Sequence, residues 1–199
     1  MSVTTDAIVL SLQPHSDKAF VLHAYTRAGG RINYRVYGIG RKHAIGVYTP
    51  LSLIQITTSA PSPSKPPTVK EVTPLTSNPL ISNPYKSSIA LFLSEVLYHV
   101  LRHPMQDEPM FDFLAEAIQE LNETKEPQNF HLQFLIGLAA KLGFGIPEDS
   151  KIRRFEDATV QISRKERQKA LRELCQYFEQ HVETWEQPKS LDVLMEVFD

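Results

Sequence analysis

The chain contains almost no cysteine, which removes several classes of protein at once. Cys175 is the single cysteine among 199 residues, so an internal disulfide and a cysteine-rich zinc site are excluded. No apolar run approaches the roughly 18 residues that a membrane span requires. The polar N-terminus with Asp6 also lacks the basic-then-apolar pattern of a signal peptide. These absences favour a soluble protein of a reducing compartment, and the cytoplasm is the expected location.

Net charge is also small, at −2, yet the charges are unevenly distributed. Residues 1–75 hold eight Lys or Arg against three Asp or Glu, whereas residues 76–199 hold thirteen against twenty. Seven of the fourteen prolines lie between Pro61 and Pro84, where they disfavour helices and central strands. We therefore expect a first unit over residues 1–75, a proline-rich connection over residues 76–84 and a second unit over residues 85–199.

The first unit has the composition of short β-strands. Runs rich in apolar and β-branched residues predict strands over residues 7–13, 19–26, 31–37, 51–57 and 68–73. Apolar and polar residues alternate in the third strand, so its two faces should differ; one face carries Ile32, Tyr34 and Val36, and the other carries Asn33, Arg35 and Tyr37. Five short strands in so little chain fit a small β-barrel.

The second unit has the apolar spacing of amphipathic helices. The pattern predicts a helix that begins at Ser87 or Ser88 and ends before Pro104, and two more over residues 110–121 and 130–142, the latter closed by Gly143. Ser163 and Glu166 form a capping box that opens a long fourth helix, and a short helix is predicted over residues 191–198. The second half is therefore predicted to be all-helical.

Catalytic and metal-binding patterns are weak. Glu95, His99 and His103 are spaced by four residues along one helical stripe, where a metal ion could bind, although a solvated helix edge is the favoured interpretation. The chain has no H-E-x-x-H or G-x-S-x-G motif, and Cys175 falls at a core-facing helical position. We expect no cofactor, no metal and no enzymatic activity.

The segment from Arg27 to His43 is basic and aromatic and contains no acidic residue. Its cations are Arg27, Arg31, Arg35, Arg41 and Lys42, and its rings are Tyr34, Tyr37 and His43. Cations neutralise phosphates and exposed rings stack on bases, so this mixture is typical of a nucleic-acid surface. An alternative stays open in which the tyrosines fill a core and the charges only solubilise a hairpin. A second basic run, Lys151 to Arg172, has the same two interpretations.

Several motifs occur in a fixed order along almost the whole chain. The first half holds Asp6-Ala-Ile-Val-Leu10, Ser16-Asp17, Tyr25-Thr-Arg-x-x-Gly30-Arg31, Gly38-x-Gly-Arg-Lys42 and Pro50-Leu-Ser-Leu53. The second half holds Lys86-Ser-Ser-Ile-Ala-Leu-Phe-Leu-Ser-Glu-Val-Leu-Tyr98, Phe111-Asp-Phe-Leu114, Asn129-Phe-His-Leu132, Leu142-Gly-Phe144 and Ser190-Leu-Asp-Val-Leu-Met-Glu-Val-Phe198. This order resembles the RecO family of bacterial DNA repair and recombination mediators.

The resemblance implies an α+β chain, with an N-terminal five-stranded OB-fold β-barrel followed by an all-helical C-terminal domain. It implies a non-enzymatic, nucleoid-associated protein that binds single- and double-stranded DNA and anneals complementary strands. Acting with RecR, such a protein helps load RecA onto DNA coated by single-stranded-DNA-binding protein. The acidic, apolar tail of that coating protein is a further implied partner, and it requires an apolar groove edged by cations.

Site residues follow from the resemblance and the basic segment together. Phosphate contacts are assigned to Arg27, Arg31, Arg35, Arg41 and Lys42, and base stacking is assigned to Tyr34 and Tyr37. His43 belongs to the same predicted DNA-binding set. Alternation places the two tyrosines on opposite faces, which favours Tyr37 for stacking. Many family members carry a four-cysteine zinc module after the helix that ends here at Gly143; this chain has no cysteine there, so zinc is not expected.

One alternative function stays open, a non-catalytic protein-interaction module without direct DNA contact. Salt dependence separates the two hypotheses, because phosphate contacts weaken steeply with salt and an apolar protein interface does not.

Overall fold

The computed structural model describes residues 2–38, 46–60, 62, 65–76, 79–157 and 160–197. Within them the first unit forms strands β1 (Ser2–Ser16), β2 (Ala19–Thr26), β3 (Gly30–Tyr37), β4 (Leu53–Ser59) and β5 (Val69–Pro74). Helices α1 (Pro84–Val100), α2 (Glu108–Glu123), α3 (Phe130–Lys141), α4 (Arg164–His181) and α5 (Leu191–Val197) follow. Short 3-10 helices cover Gly46–Tyr48, Pro79–Ser82, Pro127–Asn129 and Lys151–Glu156. The predicted α+β arrangement is confirmed.

The five strands form one sheet in the order β3-β2-β1-β4-β5, with antiparallel neighbours throughout. Its two edge strands curl toward each other, where Arg35 and Thr68 form a single parallel bridge and the Arg35 amide donates to the Pro67 carbonyl at 2.8 Å. This strand order is consistent with an OB fold. Along the described residues the sheet is otherwise open, whereas the sequence predicted a barrel.

Strand β1 is longer than predicted because its two halves have different neighbours. Residues 2–8 pair with β4, and residues 7–16 pair with β2. The register with β2 shifts between Val9 and Ser11, so Leu10 is an extra residue at a β-bulge. Alternation places Leu10 beside Ile8 on the sheet face that packs on the helices, where it is buried, and the bulge keeps Ser11 on that same face, paired with His23.

Both faces of the sheet bury apolar side chains. The concave face encloses a core of Ala7, Val9, Leu22, Ala24, Tyr34, Val36, Tyr48, Ile54 and Ile56. On the opposite face, Ile8, Leu10 and Tyr25 belong to the same continuous core as the helices. The sheet and the helices are therefore packed against each other through a shared apolar core.

The helix boundaries follow local capping chemistry. Helix α1 begins at Pro84, earlier than predicted, because the Asn83 side chain accepts hydrogen bonds from the amides of Tyr85 and Lys86 and a proline suits the first helical position. The capping box of Ser163 and Glu166 at the start of α4 is confirmed. Gly143 adopts a φ of 89° after α3, the left-handed conformation predicted for a helix end.

Candidate nucleic-acid interface

Antiparallel pairing arranges the outward side chains of β1, β2 and β3 in rows across the sheet. Two rows, which we call the covered rows, lie on the half of the face that packs on the helical domain; they consist of Ile8, Tyr25 and Arg31, and of Ser11, His23 and Asn33. Two further rows, the open rows, lie at the other end of the strands; they consist of Gln13, Val21 and Arg35, and of Ser16, Ala19 and Tyr37. The predicted basic face is therefore divided between a covered half and an open half.

Arg27 lies against helix α2. Its guanidinium forms an ion pair with the Asp112 carboxylate at 2.7 Å and lies over the Phe111 ring, 4.5 Å from the centroid. The Phe111 ring stacks in turn on Tyr25 of β2. Arg27 therefore has a structural role in attaching the sheet to the helices, a role that the sequence analysis did not assign to it.

Arg31 makes a polar contact between the β3 face and helix α1. Its Nη1 donates to the Tyr98 carbonyl at 2.6 Å, and its guanidinium lies 3.9 Å from the centroid of the Tyr98 ring. The Arg31 amide also donates to the His103 carbonyl. A cation in the last turn of a helix is favoured by the helix dipole, so Arg31 stabilises the end of α1.

His23 completes the covered half. Its Nδ1 hydrogen-bonds the Asn33 side-chain oxygen at 2.7 Å, and its ring packs edge-on against Tyr98. Burial lowers the pKa of His23, an effect that the hydrogen bond to Asn33 opposes and the charge of Arg31 reinforces. The neutral imidazole is therefore part of the contact between sheet and helices.

Tyr34 lies in the concave core and is only 3% exposed. Burial raises its pKa to about 12, with a hydrogen bond to Thr26 acting in the opposite direction. Its ring has no open face on which a base could stack, because Leu22 and Val36 belong to the same enclosed cluster. The assignment of Tyr34 to base stacking is therefore withdrawn.

Arg35 and Tyr37 occupy the open rows. Tyr37 is 52% exposed, the Arg35 side chain is half-buried, and both point away from the concave core. Across the described ranges, neither side chain has a hydrogen bond, ion pair or ring contact with another residue. Of the predicted contact residues that the structure describes, these two keep a cation and a ring available on one face.

The remaining predicted contacts, Arg41, Lys42 and His43, lie outside the described residues. In the second basic run, Arg153, Arg154 and Lys169 form ion pairs with glutamates, and Nε of Arg167 donates to Asn129. These pairs hold Arg153, Arg154, Arg167 and Lys169 within the helical domain, and a contact of this run with DNA stays a prediction.

Glu95, His99 and His103 do not form the predicted helical stripe, because α1 ends at Val100 and His103 lies beyond it and is exposed. Glu95 accepts hydrogen bonds from the amide and hydroxyl of Ser190, which precedes α5, and the His99 carbonyl accepts one from Thr184. In the part of the chain that the structure describes, no group of three or more His, Cys, Asp or Glu side chains could hold a metal ion. Over the same part, no helix is long and apolar enough to cross a membrane.

Two further cations lie near the open rows and were not singled out from the sequence. Lys18 is in the turn between β1 and β2, directly before Ala19, and Lys70 is in β5, two residues after the bridge to Arg35. Neither belongs to a basic cluster in the sequence, so only the strand pairing brings them close to Tyr37.

Strand order, curvature and an open basic face define a class of protein, an OB-type sheet combined with a helical domain. A sequence profile of the family described as "Recombination protein O C terminal" matches residues 81–159, which include α1, α2 and α3. The "DNA repair protein RecO" of Phocaeicola vulgatus is 30% identical over 238 aligned positions, covering 98% of each chain. This chain belongs to the RecO family of DNA repair proteins.

Other relatives agree with this assignment. The "DNA repair protein RecO" of Porphyromonas gingivalis is 34% identical over 155 positions, covering 74% of this chain and 63% of the relative. The protein of the same name from Flavobacterium johnsoniae is 27% identical over 236 positions, and the alignment covers the whole of both chains. Because that alignment is longer than the 199 residues of this chain, the relative contains segments that are missing here.

Proposed function

We propose that this chain binds DNA through the open rows and acts as a non-catalytic mediator of DNA repair and recombination. In this proposal it binds single- and double-stranded DNA, anneals complementary strands, and with RecR helps load RecA onto DNA coated by single-stranded-DNA-binding protein. Membership of the RecO family supports the class of activity. The observation that carries the DNA contact is the pair of Arg35 and Tyr37, a cation and an exposed ring on one sheet face.

The geometry of the two side chains suits a single strand. Residues two apart in a strand share a face and are separated by about 6.6 Å, so a guanidinium and a ring lie next to each other here. The cation can neutralise a phosphate while the ring stacks on a base of any sequence. Arg27 and Arg31 do not contribute in this proposal, because Asp112 and Tyr98 already bind their guanidinium groups.

The test is fluorescence anisotropy of a labelled mixed-sequence single-stranded oligonucleotide, titrated with protein at several salt concentrations. Arg35→Gln should reduce the slope of log affinity against log salt by about 0.7, the value for one phosphate contact to a single strand. Tyr37→Ala should cost about 1 to 3 kcal/mol of binding free energy. Lys125→Gln, an exposed lysine between α2 and α3, is the control with the same loss of charge. Absence of binding at low salt would instead favour the protein-interaction module.

We also propose a location for the acidic tail of single-stranded-DNA-binding protein. A groove of about 230 Å³ runs between the 3-10 helix Lys151–Glu156 and α4. Its apolar lining is Ile152, Phe155 and Ala170, and its cations are Lys151, Arg154 and Lys169. It also holds Glu166 and Glu173, which form ion pairs with Arg154 and Lys169. Apolar and cationic groups together match the chemistry of an acidic, apolar peptide.

Two features of the groove direct the experiment. Hydrogen bonds from Ser163 and Arg154 lower the pKa of Glu166 to about 2, so an incoming carboxylate must compete with Glu166 for Arg154. Lys151 has no ion pair within the described ranges. Lys151→Glu should therefore weaken binding of a labelled peptide of that tail, while the matched change Lys125→Glu should not. Equal peptide affinity in both variants would place the tail elsewhere.

A further inference from the structure

The open rows continue from β3 onto the far edge of the sheet. The bridge between Arg35 and Thr68 is parallel, so the two strands run in the same direction from that point. Two residues further along each strand are Tyr37 and Lys70, and residues two apart share a face. Val69, between Thr68 and Lys70, packs against the concave core. Lys70 is therefore on the outward face, beside Tyr37.

A β-bulge frees Lys70 from the strand ladder. Thr57 of β4 pairs with Glu71 and Thr58 pairs with Val69, so Lys70 is an extra residue with no partner on β4. Bulges redirect the side chain of the extra residue and interrupt pairing. Lys70 is exposed, and its ammonium group has no ion pair with any residue in the described ranges.

A second lysine lies at the opposite end of the same row. Ser16 pairs with Ala19 across a turn of two residues, Asp17 and Lys18, and Ala19 pairs with Tyr37. Lys18 is exposed, and no ion pair joins it to another described residue. The exposed ring of Tyr37 is thus flanked by a lysine on each side, across about two strand spacings or about 10 Å.

Toward the start of β3, the helical domain covers the outward face of the sheet. The guanidinium of Arg31 is held by Tyr98, and Gly30 lies so close to the backbone of His103 and Met105 that a side chain there would collide with it. A strand of DNA that followed β3 toward its start would meet the helical domain after Arg35. A strand that crosses β3 at Tyr37 meets exposed lysines on both sides.

We propose that Lys18 and Lys70 are further phosphate-binding residues, and that a single strand crosses the sheet from the β1–β2 turn, over Tyr37, to β5. This inference rests on the proposed function and adds the path of the strand to it. Sequence-independent binding follows, because the contacts are phosphates and the face of one base.

The experiment uses the full chain and the same labelled oligonucleotide at several salt concentrations. Lys18→Gln and Lys70→Gln should each reduce the salt slope by about 0.7, and the double variant by about 1.4, because each removes one phosphate contact. Lys70→Arg should restore the wild-type slope, and Lys125→Gln should leave it unchanged. Urea unfolding of each variant verifies that the fold is intact.

Three results would overturn the inference or separate it from the proposed function. Unchanged slopes in both lysine variants, with a reduced slope in Arg35→Gln, would show that DNA binds the open rows by another path. Reduced slopes in Arg27→Gln and Arg31→Gln alone would place the strand along β3. If the Arg35, Tyr37, Lys18 and Lys70 variants all bind DNA as the wild type does, DNA does not bind the open rows and the proposed function itself is wrong.

Discussion

Arg31 is a residue for which the sequence and the structure suggest different roles, so its substitution is informative. The sequence places it in a basic, DNA-like segment, whereas the structure places its guanidinium on the carbonyl and ring of Tyr98 at the end of α1. Replacing Arg31 with alanine removes both contacts and leaves the Tyr98 carbonyl without its charged donor. We expect Arg31→Ala to destabilise the fold while leaving the salt dependence of DNA binding unchanged.

The magnitude follows from the two contacts. A hydrogen bond from a charged donor contributes about 1.5 to 3 kcal/mol, and a cation over an aromatic ring contributes about 0.5 to 2 kcal/mol depending on burial. The two contacts share one guanidinium and do not add fully. We expect the free energy of unfolding to fall by about 2 to 3 kcal/mol. For a chain of this size that corresponds to a decrease in Tm of about 4 to 12 °C.

The assay combines urea unfolding with the salt titration of DNA binding. Arg35→Ala is the matched comparison, because it removes the same type of side chain four residues further along β3, on the same face. The Arg35 guanidinium has no partner among the described residues. Arg31→Ala should lose stability and keep the salt slope, and Arg35→Ala should do the opposite. If Arg31→Ala instead keeps its stability and loses salt dependence, the contact with Tyr98 does not stabilise the fold and Arg31 faces DNA.

Two further predictions concern stability. Burial, assisted by the charge of Arg167, lowers the pKa of His131 to about 3. Below about pH 6.5 the imidazole of the unfolded chain binds a proton, whereas that of the folded chain stays neutral. As the pH falls from 7.5 to 5, His131 should therefore lower the free energy of unfolding by about 2 kcal/mol. Urea unfolding at both pH values should show that His131→Gln abolishes this loss and that the control His15→Gln retains it. If His131→Gln keeps the wild-type pH dependence, the prediction is wrong. Gly30→Ala should cost at least about 2 kcal/mol, because a φ of 64° disfavours alanine and the added Cβ meets the backbone of Met105. Gly38→Ala, with a φ of 73° and open space, is the control for strain alone, and equal losses in the two variants would show that the contact with residues 103–105 is unimportant.

Local pattern was sufficient to predict much of the secondary structure. Alternation in β3 placed Tyr34 and Tyr37 on opposite faces and favoured Tyr37 as the exposed ring, and the structure exposes Tyr37 and buries Tyr34. The capping box at Ser163 and the left-handed Gly143 were predicted from their own residues and immediate neighbours. These features depend on interactions within a few residues, which a sequence displays directly.

The division of the basic face could not be predicted, because it depends on contacts between distant parts of the chain. Alternation indicates that Arg31 and Arg35 share a face but not which half of that face is covered. Tyr98, which covers Arg31, is 67 residues away in the sequence. Phe111 likewise is buried against Tyr25 and Arg27, a contact that helical periodicity in α2 does not indicate.

Lys70 was missed for a related reason. A lysine in a short strand with glutamate as its neighbour shows no basic clustering. Its position beside Tyr37 arises from a parallel bridge between the first and last strands of the sheet order and from a bulge opposite β4. Neither feature has a local sequence signature.

The core that the sheet shares with the helices limits how this protein can be dissected. A fragment of residues 1–75 would expose Ile8, Leu10 and Tyr25 on an uncovered sheet face, although these side chains are almost fully buried in the intact chain. Exposed apolar sheet faces promote aggregation. The proline-rich region therefore is not a place at which the chain can be cut to isolate DNA binding, and the two halves should melt in one cooperative transition.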